Sequence, residues 1–105
     1  MIRAVFTVED KIVTGFSFSG HADFSEQGSD IVCAAVSSAA YMAANTVTDV
    51  MGLNCSVTVE EGQMRLALSK NEAVQAQVIL NGLLLHIDNL RENYADFIDL
   101  KISEV

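Results

Sequence analysis

The sequence predicts an α+β domain in which two β-hairpins, two helices and a final strand follow one another in the order ββαββαβ. Short segments of alternating apolar and polar residues predict the strands, and two longer segments with apolar residues every three or four positions predict the helices. A chain of 105 residues is long enough for one domain with a single core. We expect one domain over residues 1–105, with both helices packed against a mixed or mainly antiparallel sheet whose strand order stays open.

The first hairpin is predicted from residues 1–8 and 12–18. Residues 1–8 alternate loosely, Asp10 and Lys11 form a turn, and residues 12–18 are rich in β-branched and aromatic side chains. Gly15 inside the second strand indicates a bulge or a close backbone approach.

The hairpin leads into the stretch 19–38, SGHADFSEQGSDIVCAAVSS, which combines a polar loop with the start of an alanine-rich helix. Ser29 or Asp30 suits the N-cap, which places Cys33 within the first turn. Unpaired amides and the helix dipole favour an anion such as a thiolate there. The loop is long enough to bring His21 beside the sulfur, and a thiol with a nearby base is the minimal arrangement for nucleophilic acyl transfer.

A purely structural interpretation of the same residues stays open. A cysteine followed by Ala-Ala-Val in an apolar helix is often a buried small hydrophobe, and a lone loop histidine such as His21 is usually solvated. Spacing alone does not decide whether Cys33 is catalytic.

The first helix is predicted from Ile31 to about Met51, with Gly52 as the residue that ends it. Its predicted core-facing stripe comprises Val32, Ala35, Val36, Ala39, Met42, Ala43, Thr46 and Val50. Ser37 lies one turn beyond Cys33 on the same face, so it either lines a pocket or is simply solvated.

The second hairpin is predicted from residues 55–60 and 64–69 around the turn 61–63. Cys55 at its start is expected to have a structural role. Ser69 is the predicted N-cap of the following helix, with Glu72 completing a capping box. Asn71 is an alternative cap.

The second helix runs to about Arg91 and a last strand is predicted over residues 97–103. The predicted apolar stripe of this second helix comprises Ala76, Ile79, Leu80, Leu83, Ile87 and Leu90, and Leu84 and Leu85 broaden it. This excess of apolar surface indicates a partner subunit, and we expect a homodimer. Gly82 in mid-helix predicts close packing. His86 on this helix is a poor candidate for a catalytic base.

Composition and charge narrow the classes of function. The net charge of −8 disfavours direct nucleic-acid binding and suits a basic partner. We expect a cytoplasmic protein, because no export signal develops and no run reaches the roughly 18 apolar residues of a membrane span. The two cysteines are expected to be reduced thiols. Neither a metal site nor a cofactor is indicated.

The order of residues between Gly20 and Ser37 resembles the signature of the bacterial ribosomal-processing cysteine proteases. It comprises Gly-His-Ala at 20–22, Gly28, and DIVCAAVS at 30–37. The short chain and the order of elements extend the resemblance over essentially the whole protein. Asp23 departs from the pattern at a loop position where members often have glycine.

The resemblance implies a single cysteine protease domain that cleaves the N-terminal extension from large-subunit ribosomal protein twenty-seven. Carried over by position, it implies Cys33 as nucleophile and His21 as base. Asp30 either orients the imidazole or only caps the helix. Gly20 and Ser37 are candidate substrate-binding residues.

The family's substrate has an aromatic-rich stretch at the cut, which implies an apolar pocket. Candidates for its wall are Phe18, Phe24, Tyr41 and Met42. Two other classes of function stay open at this point. One is a non-enzymatic acidic module that binds a ribosomal protein or an assembly intermediate. The other is a thiol redox sensor that uses the same cysteine.

Overall fold

A computed structural model describes residues 1–20 and 29–105, except the side chains of Ser29 and Asp30. The strands are β1 Ile2–Glu9, β2 Ile12–Ser19, β3 Ser56–Glu60, β4 Gln63–Ala67 and β5 Ile98–Glu104. The α-helices are α1 Ser29–Asn45, α2 Lys70–Gln75 and α3 Gln77–Asn93, and a π-helix covers Thr46–Val50. The predicted α+β class is confirmed, and the predicted second helix is divided in two.

The five strands form one mixed sheet with the order β3-β4-β2-β1-β5. Both hairpins are antiparallel, as their short turns require, and β4 joins them by pairing antiparallel with β2. Strand β5 returns after α3 and pairs parallel with β1, with Ile98 opposite Ile2. The sheet therefore has two edges, β3 and β5.

Local backbone requirements explain the first hairpin. Asp10 and Lys11 both have positive φ, 50° and 67°, as expected for the two central residues of a hairpin turn. The register shifts between Thr7 and Val8, so that Thr14 has no partner across the ladder. A Cβ atom on Gly15 would overlap the Leu66 carbonyl oxygen, so the predicted close backbone approach is confirmed.

The core lies between one face of the sheet and the helices. Phe6, Phe16 and Phe18 form an aromatic cluster there, with ring centroids 5.4–6.0 Å apart. Burying each of these side chains contributes about 1.5–3 kcal/mol. The buried residues of the first helical segment are Val32, Val36, Ala40, Ala43, Ala44 and Val47.

The predicted burial is wrong for two residues of the core-facing stripe. Met42 and Val50 are 53% and 80% exposed. Met42 lies on the side of α1 that is turned towards α3, because the row nearest the sheet runs through Ala40 and Ala43 instead. Val50 lies in the π-helix, whose extra residue per turn rotates the side chains out of the predicted phase.

The change from α1 to the π-helix has a local cause in two threonines. The Thr46 hydroxyl donates to the Met42 carbonyl at 2.8 Å, and the Thr48 hydroxyl donates to the Ala44 carbonyl at 3.0 Å. Such bonds compete with the main-chain ladder and bend helices. The Met51 amide then donates five residues back, to Thr46, and Gly52 ends the segment at φ 67°, as predicted.

The second predicted helix breaks at Ala76. Its N-cap is confirmed, because the Ser69 hydroxyl accepts a hydrogen bond from the Glu72 amide. The Gln77 side chain donates to the Ala73 and Val13 carbonyls at 2.8 Å and accepts from the Val13 amide at 3.0 Å. Because the Ala73 carbonyl bonds to this side chain and to the Ala76 amide, the regular ladder is interrupted and α3 begins afresh.

Helix α3 buries Leu80, Leu83 and Ile87 as predicted, but the expectation for Gly82 is wrong. None of the residues that the structure describes comes within 4 Å of a Cβ atom placed on Gly82. Close packing against them therefore does not explain the glycine.

The segment Ile31–Val50 is 20 residues long with a mean hydropathy of 1.4, enough by length and composition to cross a membrane. The sequence-based expectation concerned uninterrupted runs of apolar residues, whereas this segment meets a criterion of mean hydropathy. Core helices of globular domains pass the same test, and here 39% of the segment is buried inside the fold. The criterion is therefore weak support for a membrane span.

Candidate active site

A cleft of about 210 Å³ opens at one end of the sheet, between α1 and the β3–β4 hairpin. Strand β1 begins at this end, β2 and β3 end there, and β4 begins there. The lining residues are Ile2, Phe18, Ser19, Gly20, Cys33, Val36, Ser37, Ala40, Tyr41, Val59, Glu60, Gly62, Gln63 and Met64. The cleft therefore brings together the predicted residues Gly20, Cys33 and Ser37.

Cys33 is partly exposed and packs against the edge of the core. It is the fifth residue of α1, because the helix begins at Ser29 rather than at the predicted Ile31. Helical side chains lean towards the helix N-terminus, so the sulfur is carried back over the first turn, where the main-chain amides lack helical partners. The positive end of the helix dipole therefore acts on a thiol that faces an open cleft.

The two residues predicted to cap α1, Ser29 and Asp30, both lie within the helix rather than directly before it. Their side chains lie outside the described residues, as does the whole of His21. The roles expected of His21 and Asp30 stay predictions.

Gly20 has a backbone that favours glycine. Its φ is 88°, and a Cβ atom would overlap the Met1 carbonyl oxygen. The Gly20 amide also donates a hydrogen bond of 3.0 Å to the Gly62 carbonyl, in the turn between β3 and β4. The end of β2 is thus fixed between the chain start and the second hairpin, at the mouth of the cleft.

The walls of the cleft are largely apolar. Phe18 is buried in the wall, and Tyr41, two turns beyond Cys33 on α1, is 45% exposed at the surface. Met42 instead lines a different groove, so its assignment to this wall was wrong. Phe24, the fourth candidate, lies outside the described residues.

Sequence reasoning missed the wall formed by the second hairpin, which comprises Val59, Glu60, Gly62, Gln63 and Met64. No local signal identifies these residues, because only the pairing of β4 with β2 brings the hairpin beside Gly20. Glu60 is the one charged residue among those that line the cleft in the described part of the chain.

His86 lies in a separate groove between α1 and α3, which we call the α1–α3 groove. Its lining residues are Ala35, Ser38, Ala39, Met42, Ile79, Gly82, Leu83 and His86. None of them lines the Cys33 cleft, because the two depressions lie on different faces of α1. The expectation that His86 is a poor partner for the thiol agrees with this placement.

Cys55 has the environment of a structural thiol. It is not joined to Cys33 by a disulfide, and it packs partly buried against the core just before β3. Burial first, and the nearby negative charge of Glu72 second, raise the pKa of the Cys55 thiol. A raised pKa keeps the sulfur protonated at neutral pH and makes it a poor nucleophile.

Among the residues that the structure describes, no group of histidine, cysteine and acidic side chains has the arrangement of a metal site. The cleft instead offers a thiol at a helix start, backbone groups at two glycines and an apolar wall. A thiol placed in this way can act as a nucleophile and form a covalent intermediate.

The comparison with known proteins identifies the family. The family model described as Cysteine protease Prp matches residues 1–99, and the chain belongs to this family. The protein is therefore a cysteine protease, and the alternative of a non-enzymatic binding module is not supported.

Three relatives illustrate the similarity. The ribosomal processing cysteine protease Prp of Bacillus subtilis is 28% identical over 93 residues, 83% of each chain. A Staphylococcus aureus ribosomal processing protease Prp, solved with a substrate peptide, is 27% identical with a TM-score of 0.87, covering 98% of this chain and all of that one. A second structure from S. aureus, with a covalently linked product peptide, is 29% identical with a TM-score of 0.82 and the same coverage.

Proposed function

We propose that this cysteine protease removes the N-terminal extension of large-subunit ribosomal protein twenty-seven. In this proposal Cys33 is the nucleophile and His21 is the base. The observation that carries the proposal is the position of Cys33 at the start of α1, partly exposed in an open cleft. The names of the relatives support processing of a ribosomal protein.

The proposed reaction follows the general course of thiol proteases. His21 accepts the Cys33 proton, and the sulfur attacks the scissile carbonyl carbon to give a tetrahedral oxyanion. When the C–N bond breaks, His21 gives its proton to the departing amine, leaving a thioester on Cys33. His21 then takes a proton from water, whose oxygen attacks the thioester. The C–S bond breaks, the extension leaves as a peptide acid, and the Cys33 sulfur takes back the proton from His21.

The oxyanion needs hydrogen-bond donors that are in place before the reaction. The first amides of an α-helix have no helical partner, which within α1 means those of residues 29–31. These amides are our candidate donors. The amides of Val32 and Cys33, although adjacent to the nucleophile in sequence, lie beyond this set.

Asp30 has two candidate roles. One is to hold the His21 imidazole in the correct tautomer, as the acid does in a catalytic triad. The other is to stabilise the start of α1 electrostatically. An Asp30→Asn variant separates them, since the first role lowers kcat at unchanged stability and the second lowers the free energy of unfolding at unchanged kcat.

The apolar wall suits a bulky apolar side chain next to the scissile bond. Phe18, Tyr41 and Met64 provide this surface, and Gly20 and Ser37 are proposed to contact the peptide beside it. The charge of −8 favours association with a basic ribosomal protein and disfavours direct binding to nucleic acid. Such a substrate is met in the cytoplasm, where we expect the protein.

We also propose a homodimer. The expected excess of apolar surface lies on α2 and α3, where Val74, Val78 and Leu85 are 54%, 91% and 62% exposed. Exposed apolar side chains at this spacing favour contact with a second subunit. Sedimentation equilibrium of the wild type against Val78→Lys tests this, and a wild-type monomer at micromolar concentration would contradict it.

The proposed function is tested by incubating the protein with an extended and a trimmed form of the ribosomal protein and measuring the masses of the products by mass spectrometry. We expect one cut in the extended form, at the end of the extension, and none in the trimmed form. Intact extended protein after prolonged incubation with wild-type enzyme would overturn the proposal.

A further inference from the structure

Strand β3 forms an unprotected edge of the sheet. All five of its residues, SVTVE at 56–60, are exposed, and among the strands that the structure describes it pairs with β4 alone. Natural edge strands are commonly blocked by proline, lysine or a bulge. Strand β3 contains no proline or lysine, and its register with β4 runs without interruption. Its outer row of backbone groups is therefore open to another strand.

The turn geometry identifies which backbone groups point outwards. Glu60 and Gln63 flank a two-residue turn and therefore form the hydrogen-bonded pair that closes the hairpin. Since such pairs alternate along an antiparallel ladder, Thr58 is directed towards β4 and the amides and carbonyls of Val57 and Val59 towards the open edge.

The side chains of these two residues form an apolar surface beside the edge. Val57 pairs with Leu66 and Val59 pairs with Met64, so both valines point to the face of the sheet that carries the helices. They are nevertheless 40% and 52% exposed. An added strand would cover them with its own alternate side chains.

This edge leads directly into the Cys33 cleft. Val59 and Glu60, at the end of β3, line the cleft together with Cys33. No residue of the opposite edge strand, β5, does so. The exposed half of β5 also carries Lys101, and lysine commonly protects an edge.

We propose that the substrate binds by strand addition: the segment on one side of the scissile bond pairs with Val57 and Val59 of β3 and extends into the Cys33 cleft. The proposal rests on the proposed function. A basic, extended peptide fits this edge better than a second copy of the chain, because the edge ends in Glu60 and Glu61 and each copy carries a charge of −8.

The first test uses the unaltered protein and a series of substrate peptides, each with one N-methylated amide at successive positions on both sides of the scissile bond. Strand addition predicts that KM rises at every second position on one side, about 3–10-fold for each lost backbone hydrogen bond. Unchanged KM values, or increases without this alternation, would overturn strand addition.

The second test alters the edge itself. Val57→Pro removes an outward amide, which an edge strand tolerates, and should raise KM about 3–10-fold with kcat unchanged. Ile102→Pro is the matched control, because its amide faces the open side of β5 in the parallel register. Ile102→Pro should leave both constants unchanged. An equal loss in the two variants would contradict the proposal.

The remaining outcomes also discriminate. If Val57→Pro fails to fold, the peptide series decides the question. If Val57→Pro converts a dimer into a monomer, the edge binds a second copy and the proposal is wrong. Absence of any cleavage by the wild type refutes the proposed function, whereas cleavage without alternation in the peptide series refutes strand addition alone.

Discussion

Helix α1 separates two depressions whose walls supply different chemistry. The Cys33 cleft combines a thiol, the backbone of Gly20 and Gly62 and the carboxylate of Glu60 with its apolar surface. The α1–α3 groove is larger, about 590 Å³ against about 210 Å³, and its walls are mostly apolar, with Ser38 and His86 as the polar side chains among its lining residues. The proposed active site is therefore the smaller of the two depressions.

The difference teaches which partner the thiol can have. His86 and Cys33 are both on helices, yet α1 itself stands between them, because each lines a different face of that helix. We therefore expect the base to come from the end of the sheet at which Gly20 leaves β2. His21 is the next residue in the chain.

The largest effect is expected for Cys33→Ser, which removes the soft nucleophile at nearly constant volume. Cleavage of the extended ribosomal protein should fall below detection while the circular dichroism spectrum is retained. His86→Ala, in the α1–α3 groove, is the control and should cleave at the wild-type rate. Full activity in a folded Cys33→Ser protein would show that Cys33 is not the nucleophile.

The next largest effect is expected for His21→Ala. Loss of the base should lower kcat/KM about 10²–10⁴-fold and slow iodoacetamide alkylation of Cys33 near neutral pH. Rates of cleavage and alkylation measured on the same preparation check this. If both rates stay at the wild-type value, the base lies elsewhere and His86 has to be reconsidered.

A glycine on each side of α1 gives a comparison in stability. Gly20→Ala forces a side chain into the left-handed region and against the Met1 carbonyl, so it should lower the free energy of unfolding by at least about 1–2 kcal/mol. Gly82→Ala has open space and should raise that free energy by about 0.5–1 kcal/mol. Urea unfolding measures both changes. A stabilised Gly20→Ala protein would contradict the conclusion that the backbone at the mouth of the cleft requires glycine.

The smallest effect concerns Cys55, outside both depressions. Because its pKa is raised, its alkylation should reach half-maximal rate at a higher pH than that of the same cysteine in the urea-unfolded chain. Glu72→Gln removes one cause and should move the midpoint towards lower pH. Mass spectrometry of the alkylated peptides gives both profiles, and coincident profiles for folded and unfolded chains would contradict the expected shift.

Local signals allowed much of the fold to be predicted, and long-range contacts account for what was missed. The turns at Asp10 and Gly62 and the cap at Ser69 depend on neighbouring residues, so sequence patterns indicate them. The helix break at Ala76 depends on the Gln77 side chain reaching Val13, which lies 64 residues away. No periodicity predicts such a contact.

The same distinction applies to the site. Cys33, Gly20 and Ser37 belong to one continuous stretch with a recognisable order, and the structure brings all three to one cleft. The opposite wall, Val59 and Glu60, enters only through the order of strands, which the sequence does not fix. Residues 21–28 lie outside the described part of the chain, so the role of His21 stays a prediction.

The most direct test of Cys33 as nucleophile is covalent labelling with a substrate peptide that carries a vinyl sulfone in place of the scissile carbonyl. A thiolate adds to this group and forms a stable thioether. We predict one adduct per chain, on Cys33, that forms more slowly when uncleaved substrate is present and is unaffected by Cys55→Ser. An adduct on Cys55, or an unlabelled Cys33 in a protein that still cleaves substrate, would contradict the account.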